Sequence, residues 1–241
     1  MRRQNAKKNK SVHKKKQGWR IWSITGLLLL AAALVLVLYN TEESRLAGER
    51  SAKVLEELEH QIPDSGDRDF SQKNDNVSDS DSVLSGSEAA DQYDPDTEDR
   101  EMPVIEIDGY QYIGYIECPS IHLKLPVMDK WDYNINNRLK ISPCRYSGSL
   151  YKNDLVIAGH NYAKHFSPLR WQHIGTKIYF TDAEGIRYSY EISDIEILDP
   201  TNVREMTEKS SDWDLTLFTC TIGGQSRYTI RCVRTDRSKD W

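Results

Sequence analysis

The chain has 241 residues but only four cysteines and six histidines. It contains no Cys-x-x-Cys and no His-x-x-x-His, so its sequence shows neither a disulfide framework nor a zinc centre. Acidic residues are numerous, yet no Asp-x-Asp-x-Asp-Gly loop occurs among them, which excludes an EF-hand-type calcium site. No acid precedes Glu42, whereas Met1–Arg20 carries nine Lys or Arg. The formal charge of −5 therefore averages a basic start against an acidic middle, and as a single number it says little about partners.

What is present begins with one long apolar run. Ile21–Tyr39 is nineteen residues without a charge. At about 1.5 Å rise per residue it is long enough to cross a hydrocarbon core roughly 30 Å thick. Trp19, Trp22 and Tyr39 stand at its ends, where interfacial aromatics belong. The rival reading is a cleaved signal peptide, which has a shorter apolar core and a small-residue cleavage site. Tyr39-Asn40-Thr41-Glu42 offers no such site. The expectation is an uncleaved single-pass anchor at 21–39, with residues 1–20 cytoplasmic and everything after it outside the cell.

Residues 40–62 are rich in Glu, Arg, Leu, Ala and Lys, with Leu46, Val54, Leu55, Leu58 and Ile62 at approximate helical spacing. They read as a solvated stalk helix, too short in clean heptads for a coiled coil. Pro63 to Pro103 holds thirteen Asp or Glu against three Lys or Arg and few apolar residues. Such a stretch buries too little surface to offset its ordering entropy and reads as a disordered, self-repelling linker. The globular domain is expected over 104–241, and a fragment starting near Met102 is expected to fold and act alone.

That domain reads mostly as short strands: Tyr112–Glu117, Ile121–Val127, Leu155–Ala158, Lys177–Thr181, Ile186–Ile192, Ile195–Leu198, Leu215–Thr219 and Arg227–Val233. Helical stretches are few, at Tyr133–Asn137, His165–Gln172 and Val203–Glu208. The fold class is mainly β, a barrel or sandwich rather than a parallel α/β sheet. Gly223-Gly224 is a turn signal between the last two strands, so an antiparallel return sets Cys220 opposite Arg227. Cys118, Cys144 and Cys232 read as small buried hydrophobes. Cys220 ends a strand, beside a Gly-rich turn and facing a cation, and a neighbouring cation favours the nucleophilic thiolate. His160 ends the run Leu155-Val156-Ile157-Ala158-Gly159 and is projected into a loop. His165 and His173 are expected in a partly exposed helical stretch. Cys220, His160 and Arg227 form a coherent set for acyl transfer through a thioester.

Thr216-Leu217-Phe218-Thr219-Cys220 resembles the Thr-Leu-x-Thr-Cys signature of sortases, the membrane-anchored cysteine transpeptidases of Gram-positive bacteria. Arg227 matches the arginine of the next strand in that family. Ala158-Gly159-His160-Asn161 resembles the segment that carries its histidine, and Tyr112–Glu117 through Val127 resembles its first strands. The resemblance implies a closed eight-stranded β-barrel. It also implies attack by Cys220 on a Leu-Pro-x-Thr-Gly-like sorting signal of a secreted protein, and transfer to an amine of the cell wall or of a pilin. His160 would be the acid and base, Arg227 would hold the oxyanion, and Thr219 would line the substrate pocket. No metal or organic cofactor and no nucleic-acid partner is implied. The subclass stays open, since no second apolar run follows the first and Asp94-Pro95-Asp96 lacks the aromatic of a lid motif. Two other readings remain: a cysteine hydrolase of the same fold, and an anchored surface or divisome scaffold without catalysis.

Overall fold

The computed structural model describes residues 3–63, 100–131, 138–208 and 212–236, with side chains from 22 onward. Most of the expected acidic linker and the expected helix Tyr133–Asn137 lie outside the described residues. The chain divides into two compact units, Met1–Leu46 and Ala47–Trp241. Helix α1 spans Arg3–Gln61. The first proline of the chain is Pro63, so nothing in the run removes a backbone donor until just past the helix end. The first unit holds the apolar run, whose leucines are exposed. Among the described residues this is the one helix long and apolar enough to cross a membrane.

The second unit is built on a closed sheet. Its strands are β1 (Ile105–Ile107), β2 (Tyr110–Cys118), β3 (Leu123–Met128), β4 (Cys144–Ser147), β5 (Leu155–Gly159), β6 (Lys177–Asp182), β7 (Arg187–Leu198), β8 (Leu215–Cys220) and β9 (Arg227–Arg234). They run in the order β2-β3-β4-β5-β8-β9-β7-β6, and β6 pairs back onto β2, which closes an eight-stranded barrel. β1 is a ninth strand, paired to the part of β2 that β6 does not reach. Closure depends on Gly114 of β2. It has φ of +138° beside a bulge in the β2–β3 register, and a Cβ there would lie 2.0 Å from the carbonyl oxygen of Thr181 on β6. Only glycine permits that approach at that φ.

The expected strands are present, with two changes. Ile186–Ile192 and Ile195–Leu198 are one long strand, β7, kinked by a bulge between Ile192 and Asp194. β4 was not expected: Cys144-Arg145-Tyr146-Ser147 has no alternation of its own and is recruited by pairing to β5. The helix expected over His165–Gln172 shrinks to a 3-10 turn, Ser167–Trp171, because His165 and Phe166 are fully buried and cannot sit on a solvated helix. The expectation of a partly exposed His165 is therefore overturned. The short helices are α2 (Arg138–Ile141) and α3 (Val203–Thr207).

The barrel interior is filled by Ile113, Ile116, Val127, Leu155, Ile157, Phe180, Leu217 and Ile230, among others. Met102 belongs to this cluster, so packing begins ahead of the expected boundary at 104. A second cluster corrects the expectation of a solvated stalk. Ala47, Ser51, Val54 and Leu58 recur at helical spacing and are all buried, Leu58 completely. Val54 and Leu58 pack with Ile107, Tyr112, Met128 and Cys144. Lys124 of β3 pairs with Glu59 at the rim of this contact. The stretch looked solvated because its polar residues outnumber its apolar ones, and the surface it covers is assembled only once β1, β2 and β3 meet.

Leu58→Ala is expected to destabilise the second unit by about 3 kcal/mol, as other fully buried leucines do. A fragment beginning near Met102, deprived of this helix, should bind a hydrophobic dye and melt lower than one beginning at Thr41. Coincident melting curves for the two fragments would show that the helix contributes nothing to the fold.

Candidate active site

Side-chain parity on three neighbouring strands builds the site. Along β8, Leu215 and Leu217 point into the barrel, so Thr219 does too, while Phe218 and Cys220 point out. Along β5, Leu155 and Ile157 point in and Val156 and Ala158 point out, which turns His160 outward at the strand end. Along β9, Tyr228, Ile230 and Cys232 face in, so Arg227 faces out. The registers then align these residues across the sheet. Gly159 pairs with Thr219 in the parallel β5–β8 ladder, and Cys220 pairs with Arg227 in the antiparallel β8–β9 ladder. His160, Cys220 and Arg227 thus form one row on the outer face at one end of the barrel, on strands spaced about 4.8 Å apart. The three side chains singled out in the sequence are brought together.

Local structure holds each of them. The loop after Cys220 closes through Thr221 N–H to the Ser226 carbonyl at 3.0 Å and Gly224 N–H to the Thr221 carbonyl at 2.8 Å. Gly223 and Gly224 have φ of +90° and +74°, a pair of left-handed positions that explains the double glycine. Arg227 donates from Nη1 to the carbonyls of Gly224 and Ser226 at 3.2 and 3.3 Å, which leaves the rest of its fork for another acceptor. On the histidine side, a Cβ on Gly159 would lie 2.2 Å from the ring of Phe166. The glycine before His160 is needed so that the buried Phe166 can fold the loop back under the strand, where its N–H bonds the His160 carbonyl at 3.1 Å. Asn161 Nδ2 reaches the Thr221 carbonyl at 3.5 Å, between the histidine loop and the β8–β9 turn.

The four thiols separate by environment. Burial pushes the Cys118 thiol up and the Cys144 thiol up to about 12, and it raises Cys232 further still. These three are held as protonated core residues, as expected. Cys220 alone among the four is half-exposed. Beside it a cleft of about 380 Å³ is lined by Ser167, Arg170, Trp171, Thr219, Ile222 and Tyr228. Thr219 is buried, and its hydroxyl has no hydrogen-bond partner among the described residues.

Three features escaped the sequence reading. Arg231, on the same outer face as Arg227, is almost completely buried. Its guanidinium bonds Glu196 at 2.7 Å, Thr216 Oγ1 at 2.9 Å and the carbonyls of Glu205 and Met206 at 2.6 and 3.3 Å, with Trp213 over its face. It straps α3 to β8, the strand that ends in Cys220. Asp199 sits beside Arg227, and its carboxyl is held below the usual range, first by hydrogen bonds from Thr201 and to a lesser degree by the Arg227 charge. His165 is the third. Burial pushes its imidazole down to about 4, the backbone of Ala47 and Leu139 pulls weakly the other way, and His160 adds to the lowering. Neither of its ring nitrogens has a well-formed hydrogen bond among the described residues. The alternation of charged and apolar residues gave Arg231 away in principle, whereas His165 carried no signal, since a histidine among Lys164 and Phe166 reads equally as surface or core. No group of three His, Cys, Asp or Glu residues among the described residues could hold a metal ion.

Residues 116–235, about half of the chain, match the family model of the sortase domain. Sortase A of Bacillus anthracis is 29% identical over 123 residues, covering 50% of this chain and 57% of that protein. Sortase A of Staphylococcus aureus is 29% identical over 130 residues, covering 52% and 63% respectively. The chain thus spans about three-fifths of the length of these relatives. Among solved structures, sortase A from Corynebacterium diphtheriae is 24% identical with a TM-score of 0.47, covering 55% of this chain and 64% of that one. Clostridium perfringens sortase C, solved with the C-terminal cell wall sorting motif, is 26% identical with a TM-score of 0.45, covering 52% and 71%.

Burial of His165 makes the stability of the fold depend on pH. Its folded value of about 4 lies below its unfolded value of 6.5, so the unfolded chain binds more protons between these limits. Stability from this group is complete above the upper limit and is lost as pH falls towards the lower one, by on the order of 3 kcal/mol. The raised carboxyl of Asp182 acts in the opposite sense, so the comparison is made against a variant. In urea unfolding at pH 4.5 and 7, His165→Gln should show a smaller pH dependence than the wild type. Equal dependence would mean that His165 ionises freely in the folded state.

Proposed function

We propose, from the premise that the chain belongs to the sortase family, that it is a membrane-tethered cysteine transpeptidase with Cys220 as nucleophile, His160 as acid and base and Arg227 as oxyanion partner. The observation that carries this is the register row: Cys220 directly opposite Arg227, with His160 at the end of the strand paired to the other side. The sulfur of Cys220 attacks the carbonyl carbon of the Thr–Gly bond in a Leu-Pro-x-Thr-Gly-like signal of a secreted protein. Negative charge gathers on the carbonyl oxygen, where the free part of the Arg227 fork meets it. The C–N bond breaks, His160 gives its proton to the leaving amine, and a thioester remains. An amine of the cell wall or of a pilin then attacks the thioester carbon. His160 takes its proton, the C–S bond breaks, and Cys220 is restored. Thr219 contributes its unpaired hydroxyl to the substrate pocket.

The tether is the apolar part of α1. By the positive-inside rule, the nine Lys and Arg before it support a cytoplasmic N-terminus and a barrel outside, where secreted proteins and wall amines are met.

Incubation with a Leu-Pro-x-Thr-Gly peptide library and several amines, read by mass, should give amide-linked products. Cys220→Ala should form no thioester and no product, while Cys118→Ala should retain turnover. Full turnover in Cys220→Ala would end the assignment. Arg227→Lys should lose roughly 10²-fold or more, since an ammonium cannot reproduce the planar fork; a near-wild-type rate would remove Arg227 from the chemistry. Hydrolysed peptide in place of the amide, even at high amine concentration, would identify a hydrolase.

A further inference from the structure

We infer that Tyr162 is a positioning residue for His160, its ring fixing the plane in which the imidazole moves protons. The two rings lie almost face to face, with centroids 3.8 Å apart and planes inclined by 12°. Pairs of aromatic rings more commonly sit about 4.5–7 Å apart, so this is a close overlap. It follows from how the loop is wound. His165 N–H and Ser167 N–H both bond the Tyr162 carbonyl, at 3.0 and 3.3 Å, and Phe166 N–H bonds the His160 carbonyl at 3.1 Å. Those bonds curl residues 160–167 so that side chains two apart in sequence stack. Behind Tyr162 stands the buried ring of His165, 5.7 Å away and tilted by 56°.

The stack matters because β5 ends at Gly159, so His160 lies past the last rung of the ladder that holds the residues before it. The histidine side chain turns about two torsions, and a displacement of about 1 Å at a reacting group can cost on the order of 10²-fold. Tyr162 supplies a wall against one face of the ring. Contact through the ring face restricts rotation, and Tyr162 leaves uncovered the ring edge on which the nitrogens lie. The hydroxyl of Tyr162 has no part in this, and only its π face is required. Among titratable groups, Tyr162 and His165 act on His160 from its own loop, and the strand registers bring Cys220 of β8 and Arg227 of β9 to the same end of the sheet.

This inference rests on the acid–base role proposed above for His160, and the test separates the two. The full chain in detergent micelles is labelled with carbon-13 histidine, and the His160 ring resonance is assigned by its loss in His160→Gln. In the wild type that resonance should be moved upfield by the ring current of Tyr162. Tyr162→Phe should keep the upfield position and turn over within about twofold of wild type, and Tyr162→Leu should lose it and fall about tenfold in kcat with KM little changed. An unmoved resonance in Tyr162→Leu overturns the inference. So does a tenfold loss in a folded Tyr162→Phe, which would give the role to the hydroxyl; this variant decides the matter even if the leucine variant fails to fold. A wild type that forms no amide product while the resonances behave as described would overturn the transpeptidase reading and leave the stack standing.

Discussion

The site depends on one alignment: the parallel pairing of β5 with β8, rung for rung from Leu155–Leu215 to Gly159–Thr219. Most sequence neighbours in this barrel pair antiparallel, but β5 and β8 pair in parallel and are joined by the whole stretch from 160 to 214. A slip of one residue in that ladder would turn His160 to the opposite face from Cys220. The register is fixed from both sides. The inward leucines and isoleucines of both strands fill the barrel interior, and Val156, Ala158 and Phe218 pack outside with Leu198 and Met206. Two-sided burial is what lets five short rungs place a histidine beside a cysteine sixty positions later.

Closure elsewhere makes that ladder possible. Gly114 lets β2 and β6 approach, and without that seam the sheet would have two free edges. Arg231 then ties α3, β7 and β8 together from outside through four hydrogen bonds. A charge buried so completely is costly unless every partner is in place, so α3 is held to one arrangement against the strands that carry Cys220 and Arg227.

How much of this could be read from residues alone differs by scale. The hairpin of Cys220 and Arg227 was legible because Gly223-Gly224 set its turn and alternation set its faces. The three core thiols were legible from their apolar neighbours. The partnership with His160 was legible as chemistry but not as geometry, since nothing local reports a parallel pairing. β4 and the docked part of α1 were not legible at all. Cys144–Ser147 acquires strand structure from its partners, and Ala47, Ser51, Val54 and Leu58 acquire a buried face from three strands that lie far along the chain. His165 failed for the same reason: its burial is a property of the loop's winding rather than of its neighbours in sequence.

That winding joins two observations that would otherwise stand apart. Gly159 has no side chain, and the space so left is taken by Phe166. Once Phe166 is seated, residues 160–165 must turn back on themselves, which brings Tyr162 onto His160 and drives His165 into the protein beside the backbone of Ala47. Ala47 belongs to the helix segment buried on the barrel, and a Cβ on its neighbour Gly48 would lie 2.9 Å from the side chain of Lys164. The helix and the histidine loop therefore share one packed contact. Bulk added at Gly48 presses on Lys164, next to His165, so the segment first read as a stalk is part of what fixes the loop that carries His160.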